Sequence, residues 1–306
     1  MNISVGICAS NERQNIGLLL EDLINQKLKP GYELTEIIVV SSGSTDLTNE
    51  IIYEINKKDK RIKPIIEKER YGKANAVNKI LKMAEGDLLF LISADVHLIE
   101  GSIIKLAEVF SGNIGGADCG VGLLNSNESV VDFISNCLWE MRNVARKFEL
   151  NDMAGDMFVI RTGIVDKIPE KIINDDAYLA LMIRKKGWET VHVEDKLVYI
   201  MAPRTVKDYI LQRERIIWGH KQLKESIGME PSTLTFTIIK KPFKTLNMFV
   251  HEIRYIGMLN YYKVVIGVFL EIIANILTII YNNNLTRYIK WKRIGSTKNL
   301  KIKKSK

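Results

Sequence analysis

The chain is poor in residues that staple, ligate or address a protein. Three cysteines occur in 306 residues, Cys8, Cys119 and Cys137. Their number is odd and their spacing fits no metal finger, so buried thiols in a reducing cytosol are expected rather than a disulfide framework. The N-terminus lacks a basic n-region and a long apolar h-region, entering instead a strand-like run at Ile3-Ser4-Val5-Gly6-Ile7; no cleaved leader is expected. No G-x-G-x-x-G follows a strand, which argues against a dinucleotide dehydrogenase. The spaced glycine of a P-loop is missing as well. There is no internal repeat, and no low-complexity stretch precedes the lysine-rich end. One kind of charge is absent locally: residues 287–306 carry nine Lys or Arg and no acid, so the net charge of +8 leaves the rest of the chain near −1. A cationic tail suits an anionic membrane surface or nucleic acid. Apart from Tyr288 and Trp291 it lacks the interleaved aromatics of a nucleic-acid platform, so nucleic acid is not expected as a partner.

What is present is a globular composition, 46% hydrophobic and 26% charged, in a chain long enough for a large core. Strand-like runs at 3–9, 36–40, 62–66 and 87–92 alternate with helical patterns at 16–26, 48–56 and 73–83. Short apolar strands alternating with helices predict an α/β fold with a parallel sheet covered on both faces. Residues 117–150 read as a strand followed by a long helix. Further on, 157–161 and 189–193 read as strands, and 175–186 and 206–224 as helices. The C-terminal part changes character: 246–262 is helical in pattern and 264–281 is almost wholly apolar. That length is borderline for a membrane span of ~20 residues. Lys263, Gly267, Glu271, Ala274, Asn275 and Thr278 form one small or polar stripe on it, which suits a helix packed on a neighbour or lying along a membrane. The basic tail that follows favours membrane contact over a soluble core helix. Two regions are therefore expected: 1–225 as a catalytic domain and 226–306 as a helical membrane-associating region.

Polar clusters stand where strands end, the rim at which open α/β sheets bind ligands. Ser93-Ala94-Asp95 closes the apolar run 88–92, and its carboxylate suits a hard divalent cation carrying a diphosphate. Ala9-Ser10-Asn11-Glu12 ends the first strand; its small residues admit a base or ribose, while Glu12 reads equally as an acid at a helix start. In Ser41-Ser42-Gly43-Ser44-Thr45-Asp46, Gly43 permits a tight turn, Ser44 or Thr45 can cap the next helix, and capping accounts for Asp46. Gly72-Lys73 opens a helix as a cationic N-terminus, a phosphate site or a solvated lysine. Asp175 and Asp176 sit at a helix start, favoured by the dipole, yet one can hold an acceptor while the other takes its proton. On the helix after residue 206, Gln212 and Arg215 can stabilise a leaving diphosphate, while Arg213 and Glu214 read as a solvated face. His97 and His220 are conceivable extra contacts but read as ordinary residues.

The order of these motifs resembles the glycosyltransferase family 2 enzymes with the GT-A fold, over residues 3–219. Ser42-Gly43-Ser44-Thr45-Asp46 is similar to D-G-S-T-D, and Gly72-Lys73-Ala74 with Asn78 to G-K-x-x-A-x-N. Ser93-Ala94-Asp95 is similar to D-x-D, Asp175-Asp176 to the E-D pair, and Gln212 with Arg215 to Q-x-x-R-W. Gly155 matches the glycine of the acceptor-side loop. The resemblance implies an inverting transferase using a nucleotide-diphosphate sugar at the cytoplasmic side of the cell membrane. Its acceptor would be lipid-linked or a glycan. Ala9, Glu12, Ser42, Lys73, Asn78, Ala94, Asp95 and Gly155 are then the donor-binding residues. Asp95 would hold Mg²⁺ or Mn²⁺, Asp176 would be the base beside Asp175, and Arg215 with Gln212 would receive the leaving group. Three departures qualify this. Ser42 replaces a common Asp, Ser93 replaces the first acid of D-x-D, and Ile216 replaces the Trp, which bears on processivity. They motivate the alternative of a catalytically degenerate, membrane-bound nucleotide-sugar binder.

Overall fold

A computed structural model describes residues 1–125, 129–147, 153, 155–229, 243, 260–281, 294–298 and 300. In chain order the elements are β1 (Asn2–Ala9), α1 (Ile16–Ile24), β2 (Glu33–Ser42), α2 (Thr48–Lys58), β3 (Ile62–Glu67), α3 (Lys73–Met83) and β4 (Leu88–Ser93). There follow β5 (Val96–Leu98), α4 (Ser102–Ala107), β6 (Ile114–Leu123), α5 (Val130–Lys147), β7 (Met157–Arg161) and α6 (Asp175–Lys185). The chain continues with β8 (Glu189–Ile200), α7 (Val206–Ile227) and α8 (Tyr261–Ile280), and a 3-10 turn covers Gly295–Thr297.

The strands form one mixed sheet in the order β3-β2-β1-β4-β7-β6-β8-β5. The first four pair in parallel, as the strand–helix alternation predicts. Beyond β4 the expectation of a mostly parallel sheet meets its limit: β7 is antiparallel to both β4 and β6, and β5 is antiparallel to β8. Only Ala94 and Asp95 separate β5 from β4, yet the two do not pair: β5 lies at the far edge of the sheet against β8, which is itself parallel to β6. Asp95 is thereby pinned in a two-residue break between strands.

Side chains alternate across the sheet and build two cores. Ile3, Val5 and Ile7 of β1 face Leu19, Leu20, Leu23 and Ile52 of α1 and α2. Ile38 and Val40 of β2 face Ala76, Val77 and Ile80 of α3, with Leu179 and Ile183 of α6 in the same cluster. Each fully buried Leu or Ile here stabilises the fold by roughly 1.5–3 kcal/mol. These layers hold the strand ends rigidly, and the strand ends carry the site.

The helix α8 is long and apolar enough to cross a membrane, with a mean hydropathy of 2.2. Its small and polar stripe packs inward against α7 and α5. Gly267 lies against Ile134, Ala274 and Thr278 are buried, and Lys263 stands over the Phe133 ring at 4.8 Å. Glu271, costly in an apolar medium, is neutralised from α7: Arg213 Nε donates to Oε1 at 2.7 Å and Tyr209 donates its hydroxyl at 2.6 Å. Arg213 is thus a partly buried ion-pair partner and Glu214 is buried outright, so neither belongs to the solvated face expected of them. The opposite side of α8 leaves Val265, Val268, Phe269, Ile272, Ile276 and Ile279 exposed.

Candidate active site

The C-terminal ends of β1, β2 and β4 open into a cleft of about 240 Å³. Two loops on its rim are stitched together by Asn11, whose φ of 57° lies in the left-handed region that Asn tolerates. From there its Oδ1 accepts the Thr45 amide at 2.7 Å, while its own amide donates to Ser44 Oγ at 3.1 Å. Ser44 and Thr45 are therefore spent on the loop. The start of α2 is served by Asp46, whose Oδ1 accepts the Thr48 amide at 3.0 Å. Gly43, at φ 58°, passes so close that a Cβ would lie 2.8 Å from the Arg70 backbone nitrogen, so no other residue fits that turn.

Charge concentrates around this cleft. From the start of α6, Asp175 is buried and pairs with Lys73 Nζ at 3.0 Å. Burial raises the Asp175 carboxyl, and the pull of Lys73 does not cancel it. Burial works against the Lys73 ammonium, but Asp175 and Asp176 outweigh it and hold the charge on. Asp176 is half-buried and lines the cleft itself. Gly155 makes its room, because a Cβ there would sit 2.7 Å from Asp176 Oδ2. Gly155 also accepts the Ser93 hydroxyl at its carbonyl, 3.0 Å away, so Ser93 fastens the β4 end to the loop before β7. Next to it, burial pushes the Asp156 carboxyl up to about 6, with Arg142 pulling it down and Asp95 and Asp176 pushing it further up. From α7, Gln212 and Arg215 reach the cleft, and Arg215 faces the charges of Asp175, Asp176, Asp156 and Asp95. Gly219 lets α7 approach this closely, since a Cβ would meet the Asn174 side chain at 2.5 Å.

At Asp95 the structure adds a residue that sequence reading missed. Lys298, some two hundred residues downstream, places its ammonium 2.7 Å from Asp95 Oδ2 and 2.5 Å from Glu12 Oε1. Burial raises the Asp95 carboxyl, but the Lys298 charge and hydrogen bond overcome this and leave it lowered. Burial of Glu12 prevails instead and leaves it raised. A cation already seated between these two carboxylates is a stand-in for a metal ion, and their hard oxygen chemistry fits Mg²⁺ or Mn²⁺. Among the described residues no three His, Cys, Asp or Glu cluster to hold a metal, so donor phosphate oxygens or water would complete the shell.

Of the residues singled out from sequence, Ala9, Glu12, Ser42, Lys73, Ala94, Asp95, Gly155, Asp176, Gln212 and Arg215 line this one cleft, and Asp175 stands behind it on Lys73. Asn78 does not line it. Its amide donates to the Ile168 carbonyl and accepts the Ile168 amide, both at 2.8 Å, so it clamps the segment before α6 instead. His97 is likewise elsewhere, paired with Asp22 at 2.8 Å. His220 lines the cleft, and burial pushes it down to about 3, keeping it neutral. Besides Lys298, reading the sequence also missed Arg142 and Asp156. Only the place of Asp156, directly after Gly155, held a signal.

Comparison with known proteins follows this geometry. The family model Glycosyl transferase family 2 matches residues 4–169, and that of Glycosyl transferase family group 2 matches residues 88–286. The poly-beta-1,6-N-acetyl-D-glucosamine synthase of Staphylococcus epidermidis is 24% identical over 91% of this chain and 67% of its own length. The chain spans between 28% and 67% of the length of the curated relatives it matches here. Among solved structures, the mannosyltransferase PcManGT from Pyrobaculum calidifontis in complex with GDP-Man and Mn²⁺ superposes with a TM-score of 0.63 at 15% identity, covering 92% of this chain and 87% of that one. S. aureus TarS 1-349 in complex with UDP-GlcNAc gives a TM-score of 0.51 at 16% identity, covering 82% and 79%. These likenesses show a shared GT-A fold.

Proposed function

Since this chain belongs to glycosyl transferase family 2, we propose that it moves a sugar, with inversion, from a nucleotide-diphosphate sugar to a hydroxyl or lipid-phosphate acceptor. The observation that carries this reading is the meeting of Asp95, Asp176 and Arg215 in one cleft, each delivered by a different element. The nucleotide lies across the ends of β1, β2 and β4 against Ala9, Glu12, Ser42 and Ala94. Asp95 is the carboxylate that would hold Mg²⁺ or Mn²⁺, which when bound neutralises diphosphate charge. Asp176, beside Gly155 and facing Arg215, takes the proton of the acceptor hydroxyl as it attacks the anomeric carbon. Asp175 fixes Lys73 at the phosphate side. Arg215, with Gln212, offers fixed charge to the departing nucleoside diphosphate.

The relatives and neighbours support the donor class: one structural neighbour holds GDP-Man and Mn²⁺, another UDP-GlcNAc. A glycan or lipid-linked acceptor fits the polysaccharide synthase relative. The exposed apolar side of α8 supports attachment to a membrane, with residues 226–306 as the associating region and the cytoplasmic face as the proposed working side. A panel of nucleotide sugars assayed for donor hydrolysis with Mn²⁺ identifies the donor. Asp176→Asn should then reduce transfer at least a hundredfold while donor affinity stays within about threefold. Retained turnover would remove Asp176 from the role of base. Donor hydrolysis without transfer to any lipid or glycan acceptor would favour a degenerate binder.

A further inference from the structure

The segment carrying Lys298 is built into the molecule. Ile294 and Leu300 are buried on either side of the turn, at 4% and 5% exposure. Asn15, fully buried at the start of α1, donates its amide to the Lys298 carbonyl at 3.1 Å and accepts the Leu300 amide at 3.4 Å. Ser296 donates its hydroxyl to Asp208 of α7 at 2.5 Å. The backbone is therefore held at both ends, and only the side-chain torsions of Lys298 are left to place its ammonium. That ammonium lines the cleft, and its side chain is 14% exposed.

A buried ion cluster is a weak source of stability, because desolvation offsets most of the attraction. Two carboxylates and one ammonium leave this corner one negative charge in excess, beside a cleft whose other lining cations, Arg70, Lys73, Arg142 and Arg215, each face an acid. A diphosphate entering here brings further negative charge, and the ammonium is the group on a flexible stem that can turn to it. Turning releases Asp95 as it does so.

We propose that Lys298 is a diphosphate-binding residue of the donor site, held between Asp95 and Glu12 until a nucleoside diphosphate arrives and then pairing with its phosphate oxygens. This rests on reading the cleft as a nucleotide-sugar site. The test titrates UDP, GDP, UMP and GMP by calorimetry, at fixed Mn²⁺, into the full chain and its Lys298→Ala, Lys298→Met and Lys298→Arg variants. Lys298→Met keeps the apolar stem packed, and matching melting curves establish folding. The expected result is at least tenfold weaker diphosphate binding in the Ala and Met variants. Monophosphate binding should stay within twofold, and Arg should recover most of the loss. Diphosphate binding unchanged or tightened in the Met variant overturns the assignment, because the ammonium would then merely block the carboxylates. If the parent chain binds neither UDP nor GDP, the donor reading itself fails and the assignment falls with it.

Discussion

Gly155 shows how narrowly one residue can set another. Its missing Cβ is the space Asp176 occupies, with only 2.7 Å between them. Gly155→Ala should therefore lower kcat at least tenfold with donor affinity within about threefold, and steady-state kinetics beside calorimetry would separate the two. Asp156 makes a pH prediction. Its carboxyl, pushed up to about 6 by burial, ionises in the unfolded chain near ~3.9. The fold holds the extra proton in that interval, so this group's stabilisation is complete below about 4 and is lost as pH rises to about 6. Guanidinium unfolding at pH 4.5 and 7 should show a larger loss of stability in the parent than in Asp156→Asn, where the raised Glu12 and Asp175 carboxyls still contribute; equal losses would refute it. Cys8, with its thiol pushed up to about 12 by burial, should resist iodoacetamide at pH 8 in the native state, as peptide mass spectrometry would show. At this scale the cleft was legible wherever a polar residue ends a buried strand, since the sheet alone places such a residue on the rim. Asn78 was misplaced because a motif cannot say which face of a helix its amide leaves from. Lys298 was illegible because nothing local ties a basic tail to Asp95.

Among the elements, the contact of α7 with α8 turns on Glu271. Removing its carboxylate leaves Arg213 and the Tyr209 hydroxyl without that acceptor in a half-buried seam. Glu271→Ala should cost about 1.5–3 kcal/mol, and Glu271→Gln less, read from urea midpoints; no change would make the seam incidental. The stripe of small and polar residues on α8 was visible in sequence as a periodicity, but its partner helix was not. The first four strands and their helices follow directly from alternating apolar runs. The elements β5 and α4 escaped, being three and six residues long, too short to show a period. The sequence-predicted helix over 246–262 lies, up to residue 259, outside the described residues.

For the molecule as a whole, the outer side of α8 bears on the proposed membrane attachment. A contiguous row of exposed Val, Phe and Ile on one helix is the kind of apolar surface that marks an interaction with a membrane or a partner. Phe269→Glu with Ile276→Glu should abolish co-sedimentation with anionic vesicles while leaving donor hydrolysis in detergent within about twofold. A double variant that still sediments with vesicles would remove α8 from membrane attachment. The fold class was readable at this scale from alternation, whereas the return of Lys298 and Leu300 to Glu12 and Asn15 was not, because chain closure over such distances leaves no pattern in the residues between. That return also has a bearing on biosynthesis. The sheet can assemble as its strands emerge from the ribosome, but the ammonium beside Asp95 is absent until codon 298 has been read. Nascent chains, and products of premature stop codons, would thus carry the whole sheet while the corner at Glu12 and Asp95 still lacked its counter-charge.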